Sequence, residues 1–404
     1  MKRMNQYSLQ IDEYNRAHGT DIFLEYKKDD TTEERKQEIE DFLFKIMREK
    51  GEVPITVLDE NEAVRSLISF SEIDPYSVYK DGDYGFNANG VSFLNGFFPE
   101  IMDVEKKNMP TVRQAFNDDT KLRRAIRKSL MYSSDELGIF RWIILSGAGY
   151  CVNFRPASAK ALYEIFGKKE NCKVFDSSSG YGARMMGAHF ARNVIEYVGI
   201  DPNTADHCRD EIEYLDKNFD TGTKKIVLKM GSEDFTPEAF PQYQNYFDLY
   251  FTSPPYFDTE RYSQDETQSY KKFPTYAGWV KGFYQQTIYN ACDALKVDGV
   301  FSLNIFEKVP NIKELTKLFL ANKGFYVYKT DRYLLKTMPG GKKDKDTGEV
   351  SVRTREIGSN FEPVWYALHW SKLYLDGLIT KEQAIQLRDR ATLDTKTPLV
   401  DLDI

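Results

Sequence analysis

The chain is poor in cysteine, and none of it is arranged to bind metal. Cys151, Cys172, Cys208 and Cys292 lie 21, 36 and 84 positions apart, with no C-x-x-C. Neither a zinc knuckle nor a disulfide frame is indicated, and a reducing cytoplasm is the simplest setting. Long apolar runs are missing too. The longest weakly polar stretch, Trp142 to Val152, falls well short of the roughly 18 residues that would span a bilayer, which excludes a membrane helix. The opening MKRMNQYSLQIDEYN has a basic start but no apolar stretch behind it, so no export signal is expected. Positive net charge is also absent. The balance of 55 basic against 62 acidic side chains leaves -7, so any nucleic-acid contact has to be a local basic patch. There is no internal repeat and no low-complexity tract.

What is present is ordinary for a soluble globular protein, with one exception. Hydrophobic residues make up 41% and charged residues 29%, which excludes disordered and fibrous classes. At about 150 residues per domain, 404 positions give two or three domains, or one large catalytic domain with additions. The exception is the aromatic share of 14%, from 27 Phe, 26 Tyr and 4 Trp. It means either a generous core or surfaces that stack on flat ligands.

Composition shifts along the chain. Residues 1 to about 50 are polar and helix-prone, and a basic segment follows the aromatic stretch SFLNGFFPEI. Between Glu105 and Lys128 eight basic residues, among them Arg123, Arg124, Arg127 and Lys128, face three acidic ones. From Asn153 short β-rich runs alternate with helical segments, the signature of an α/β parallel sheet. The predicted strands are KVFD (173–176), YVGID (197–201), KIVLK (225–229), FDLYFT (247–252) and GVFSLNI (299–305). Asn311 and Glu314 form a predicted capping box for a helix through Leu315, Leu318 and Phe319, closed by Gly324. The sheet is expected to end in a hairpin of 325–336 with 362–370 around a loop of about 25 residues, too long for a tight turn. The expected organisation is an accessory, mostly helical region 1–150, an α/β domain 151–372 and a short helical appendix 373–404.

Three segments carry chemistry. In VFDSSSGYGARMMGA a strand ends at Asp176 and turns through Ser178, Gly180 and Gly182 into a helix, where a ligand can approach the backbone closely. The next strand ends at Asp201, 19 residues after Gly182, where a carboxylate can accept from two ribose hydroxyls or cap the helix that follows; both roles can hold together. The third strand leads to GSEDF, which places Glu233 and Asp234 beside the adenine end of such a ligand, or leaves them as solvated caps. The most informative segment is FDLYFTSPPYFDTERYS. Two prolines after a hydrophobic strand remove two backbone donors and stiffen the chain where a sheet would otherwise continue. The Ser253 hydroxyl and the carbonyls around Pro254 and Pro255 suit an exocyclic amino group, and the Tyr256 ring suits a flat base.

With these motifs the chain resembles the class I S-adenosylmethionine-dependent methyltransferases that modify exocyclic amino groups of DNA bases, over roughly residues 153–370. The pattern looks most like methyltransferases of phage and mobile-element genes. The resemblance implies a Rossmann-like seven-stranded sheet, S-adenosylmethionine as cofactor and no metal. It makes Asp176 to Gly182 the cofactor turn, Asp201 the ribose carboxylate, and Ser253 to Tyr256 the catalytic tetrapeptide. The Pro-led segment FRPASAKALYEIFG, with Arg155, becomes the part that holds the methionine moiety. Two departures matter. Ser253 stands where most adenine-N6 enzymes have Asp or Asn, which favours cytosine N4, and Asp-Ser-Ser-Ser replaces a phenylalanine-rich first motif. DNA, duplex or single-stranded, is the expected partner. It would be held by Arg123, Arg124, Arg127 and Lys128 and by Lys342, Lys343 and Arg353 of the long hairpin loop. Phe257, Tyr262 and Tyr270, in the loop after the tetrapeptide, are possible second stacking partners or ordinary anchors. The rival readings are an RNA amino-methyltransferase and a non-catalytic binding protein that kept the fold. A restriction or phage-modification partner stays open.

Overall fold

The computed structural model describes residues 6–305, 309–335, 342–343, 350–351 and 361–402. The accessory third contributes three two-residue strands, β1 (Tyr79–Lys80), β2 (Asp83–Tyr84) and β3 (Glu105–Lys106). After it come β4 (Cys172–Asp176), β5 (Val194–Ile200), β6 (Lys224–Leu228), β7 (Phe247–Thr252), β8 (Glu260–Arg261), β9 (Leu295–Asn304) and β10 (Phe325–Leu334). The small pair β11 (Lys342–Lys343) and β12 (Val350–Ser351) leads to β13 (Phe361–His369).

The main sheet runs β6-β5-β4-β7-β9-β13-β10, with β2 and β1 added at the β10 edge. Strands β4, β5, β6, β7 and β9 are parallel, and β13 is antiparallel to both β9 and β10. This is a Rossmann-like sheet: a doubly wound array that grows outward from β4 in one direction through β5 and β6, and in the other through β7 and β9. The strand order therefore reverses between β4 and β7, where open α/β sheets place their ligands.

The strands read as near-continuous apolar runs because both faces are covered. Along β4, Val174 enters one core and Phe175 the other; along β7, Leu249 and Phe251 alternate with Phe247 and Tyr250. The first core is shared by the helices Pro156–Phe166 and Ala183–His189 and by the accessory helices, from Tyr7 to Ile143. The accessory region thus has no core separate from the sheet. The helices Gln285–Ala294 and Ile312–Asn322 cover the opposite face.

Strand and helix placement follow the expected order, but the expected capping box does not form. Asn311 sits at the N-cap with φ 53°, left-handed, and its side chain caps nothing. A cap side chain reaches the first-turn amides from extended backbone, which this residue does not adopt. Leu318 is 54% exposed, while Ile312, Thr316, Phe319 and Leu320 are buried. The appendix is clasped to the end of β13 by His369, whose ring nitrogens lie 2.7 Å from Ser371 Oγ and 2.7 Å from Asp394 Oδ2. Among the described residues no helix is long and apolar enough to cross a membrane, no His/Cys/Asp/Glu cluster suits a metal, and the four cysteines are free and buried.

Candidate functional site

Four segments singled out in the sequence meet at one edge of the sheet, because they follow the carboxyl ends of parallel strands. The turn after β4 passes through Gly180 (φ 57°) and Gly182 (φ 70°). A Cβ on Gly182 would stand 1.9 Å from Glu211 Oε2 and 2.8 Å from the Phe98 ring, so no other residue fits without displacing both. Asp201, after β5, accepts from the amides of Asn203 and Thr204 at 2.9 Å and of Gly180 at 3.0 Å. It fixes the turn that leads into the helix Ala205–Asn218 and ties the glycine turn to it. Burial pushes its carboxyl above the usual range, against these three donors.

Asp176 has a different role from the one expected. It is fully buried, and its oxygens are taken by Arg184 Nε (2.7 Å), Arg184 Nη2 (3.3 Å), Tyr197 Oη (2.7 Å), Thr252 Oγ1 (2.8 Å) and the Ser178 amide (3.1 Å). It therefore braces the turn from behind and joins it to the end of β7, rather than facing a ligand. Ser178 is half-buried at the rim of that turn.

After β6, Glu233 and Asp234 share Lys272, whose Nζ lies 2.8 Å from each carboxylate. Asn290 fixes the same loop by donating to the carbonyls of Ser232 and Glu233, both at 3.0 Å. Glu233 Oε2 is buried and unpartnered among the described residues. Arg155, just ahead of the helix Pro156–Phe166, is 3% exposed, with its guanidinium 4.3 Å from the Phe86 ring centroid and 4.6 Å from that of Tyr333. Nη2 donates to the Leu334 carbonyl, and Nη1 is buried without a partner among the described residues.

At the end of β7, Pro254 is buried and the other three tetrapeptide residues are half-buried. Ser253 Oγ accepts from Asn304 Nδ2 at 3.2 Å, and the Tyr256 hydroxyl donates to the Asn304 carbonyl. Asn304 Nδ2 also donates to Glu362 Oε2 at 2.9 Å. Phe257 holds φ 53° and packs edge-on to Tyr276, with centroids 5.7 Å apart. The loop beyond is sewn to the accessory region: β3 pairs with β8, and Lys106 meets Glu260 at 2.8 Å. Tyr262 donates to Glu260 at 2.6 Å and Tyr270 to the Ser263 carbonyl at 2.9 Å, which makes both anchors of that loop.

The sequence reading missed Asn304, Glu362, Lys272 and Glu211. Asn304 had a signal: GVFSLNI is an apolar strand closing on a polar residue, as the strands before Ser253 and Asp201 do. Glu211 is fully buried beneath the glycine turn, with both oxygens unpartnered among the described residues, and burial holds its carboxyl well above the usual range. The folded state keeps a proton that the unfolded chain releases above about pH 4.5. This stabilising contribution is complete below that pH and declines as pH rises toward the raised folded-state value. Glu211→Gln should flatten the fall of stability with rising pH, measured as urea midpoints across that range; an unchanged slope would count against a protonated Glu211.

The expected basic patch is partly spent inside the molecule. On the helix Asp119–Tyr132, Arg123 pairs with Asp41 at 2.6 Å and lies 3.9 Å from the Phe44 ring centroid. Arg127 meets both oxygens of Glu40 at 2.9 Å. Arg124 is exposed, and Lys128 Nζ stands 5.4 Å from the Tyr132 ring centroid. Lys342 and Lys343 form β11, paired with β12; their side chains and the whole of Arg353 lie outside the described residues.

The site joins a glycine turn, a carboxylate that ties this turn to the one after β5, and two buried groups without partners among the described residues, Arg155 Nη1 and Glu233 Oε2. This donor and acceptor set fits a ligand with a carboxylate, a ribose and an adenine. No protein-family model and no curated protein matches the chain. Among solved structures it is similar to a putative methyltransferase from Thermoplasma acidophilum, at 12% identity and TM-score 0.31, covering 55% of this chain and 76% of that one. It is also similar to magnesium protoporphyrin IX methyltransferase from Synechocystis PCC 6803 with bound SAM, at 12% identity and TM-score 0.33, covering 57% and 91%. TrmN from Thermus thermophilus is similar at 14% identity and TM-score 0.33, covering 53% of this chain and 48% of its own.

Proposed function

We propose that the chain is a methyltransferase that uses S-adenosylmethionine to methylate the exocyclic amino group of a flipped DNA base, cytosine N4 in preference to adenine N6. The observation that carries this reading is the meeting of the Ser253-Pro254-Pro255-Tyr256 turn with the glycine turn at the point where the strand order reverses. The residues that would hold the cofactor are Ser178, Gly180 and Gly182 of the turn, Asp201 for the ribose, Glu233 for the adenine side, and Arg155 Nη1 for the carboxylate. Bound there, it supplies an electrophilic methyl group.

The chain's own residues make a poor nucleophile usable. An amino nitrogen on a base has its lone pair delocalised into the ring. Acceptance of its two N–H bonds by Ser253 Oγ and the Pro254 carbonyl favours a more pyramidal nitrogen and fixes its direction of attack. The two prolines hold these acceptors on a stiff backbone that needs no reorganisation during the reaction. Tyr256, pinned through its hydroxyl, offers a ring to the extruded base and offsets part of the unstacking cost of a few kcal/mol.

The test is labelled methyl transfer to duplex DNA, single-stranded DNA and RNA in parallel. Labelling of DNA is expected. Exclusive labelling of RNA would sink the DNA reading, and cofactor binding with no turnover would favour a non-catalytic protein.

DNA contact, on this reading, falls to Arg124 and Lys128 more than to the paired Arg123 and Arg127. Replacing Arg124 and Lys128 together by Ala should weaken DNA binding uniformly across sequences and lower the salt slope by about one to two. Arg123→Ala should instead loosen the helix contact with Asp41. Equal salt slopes for both variants would contradict this division.

A further inference from the structure

We infer that Asn304 is a positioning residue for the transfer site, acting through Ser253 and held in place by Glu362. The inference rests on the proposed amino-methyl transfer and adds to it a residue that no motif identifies.

One residue at the end of β9 touches both working ends of the tetrapeptide. Its amide nitrogen lies 3.2 Å from Ser253 Oγ, and its backbone carbonyl receives the Tyr256 hydroxyl. Asn304 is 3% exposed, and its Oδ1 is buried with no partner among the described residues. The second contact of the same nitrogen, 2.9 Å to Glu362 Oε2, comes from β13, which runs antiparallel to β9 with Val364 opposite Asn304. Glu260, Lys106 and Arg155 are the charged groups facing Glu362, and burial lifts the Glu362 carboxyl above its usual range.

The need for such a residue follows from serine itself. A planar carboxamide or carboxylate at position 253 would present its acceptor oxygen at a fixed reach and angle. A serine hydroxyl is shorter and rotates among three staggered positions, so its lone pairs have no fixed direction. Donation from Asn304 occupies one lone pair and stops the rotation, which leaves the second lone pair for the amino N–H of the base. The Glu362 carboxylate keeps the amide from turning its oxygen toward Ser253.

The experiment compares Asn304→Ala, Ser253→Ala, the double variant and Asn304→Asp with the full-length protein, under conditions where each melts within a few degrees of it. Asn304→Ala should lower kcat about ten- to a hundredfold, with cofactor Kd and DNA KM changed by less than about twofold. Because Asn304 acts through Ser253, the double variant should be no slower than Ser253→Ala alone. Asn304→Asp keeps the volume but loses the donor when ionised. Even when protonated, the new carboxyl has a single O–H, which cannot serve Glu362 and Ser253 together, so this variant should lose kcat as Asn304→Ala does. Unchanged kcat in Asn304→Ala, a double variant that multiplies the two losses, or full kcat in Asn304→Asp would overturn the inference while leaving the methyltransferase reading intact. A full-length protein that methylates no nucleic acid would overturn both.

Discussion

Asp176→Ala should cost about 3–5 kcal/mol of stability, read as a lowered urea midpoint, because it strands the guanidinium of Arg184 in the interior. Arg184 is 4% exposed, and its Nε lies 2.7 Å from Asp176 Oδ2. The loss extends beyond the ion pair. Tyr197 and Thr252 also donate to Asp176, so β5 and β7 are tied through one carboxylate to the turn after β4. Thr252 immediately precedes Ser253. The variant should therefore lose cofactor binding and methyl transfer together even where it remains folded. Adding Arg184→Met should recover part of the stability, since removing both charges removes the buried, unpaired one. A midpoint unchanged by Asp176→Ala would show that the brace does not hold the turn.

The second large effect is expected at Tyr256. Base stacking on an aromatic ring is worth about 1–3 kcal/mol by alanine substitution, which corresponds to roughly a five- to hundredfold loss of transfer for Tyr256→Ala. Cofactor affinity should be spared, because the residues proposed to hold the cofactor follow β4, β5 and β6 or precede the helix Pro156–Phe166. Tyr256→Phe keeps the ring and removes only the hydroxyl contact with the Asn304 carbonyl, so it should fall between the two. Activity of Tyr256→Ala equal to that of the unaltered protein would refute the stacking role, and equal loss in both variants would assign the effect to the hydroxyl.

The parallel strands were legible because both of their faces are buried, which writes them as short apolar runs closed by Asp, Gly or Ser-Pro. The segments that end those runs carry the site, and the wound topology brings them to one edge whatever the chain does between them. What was not legible depends on partners far away in sequence. Arg123 and Arg127 read as a basic patch until Asp41 and Glu40, on the helix Glu33–Lys50, draw them into ion pairs. Asp176 read as a ligand contact because its position at a strand end is the right one, and only the surrounding donors show that it is fully occupied. Glu362 has no local signal at all; it reaches Asn304 only through the antiparallel register of β13 on β9. Asn311 had the right cap chemistry but adopts left-handed backbone, which sequence spacing cannot register.

The most direct test of the central claim is mass spectrometry of nucleosides from the DNA and RNA of cells expressing the protein, beside cells expressing Ser253→Ala. The account predicts N4-methylcytosine in DNA from the first cells and not from the second. The absence of any additional methylated nucleoside in DNA, or the same product in both, would contradict it.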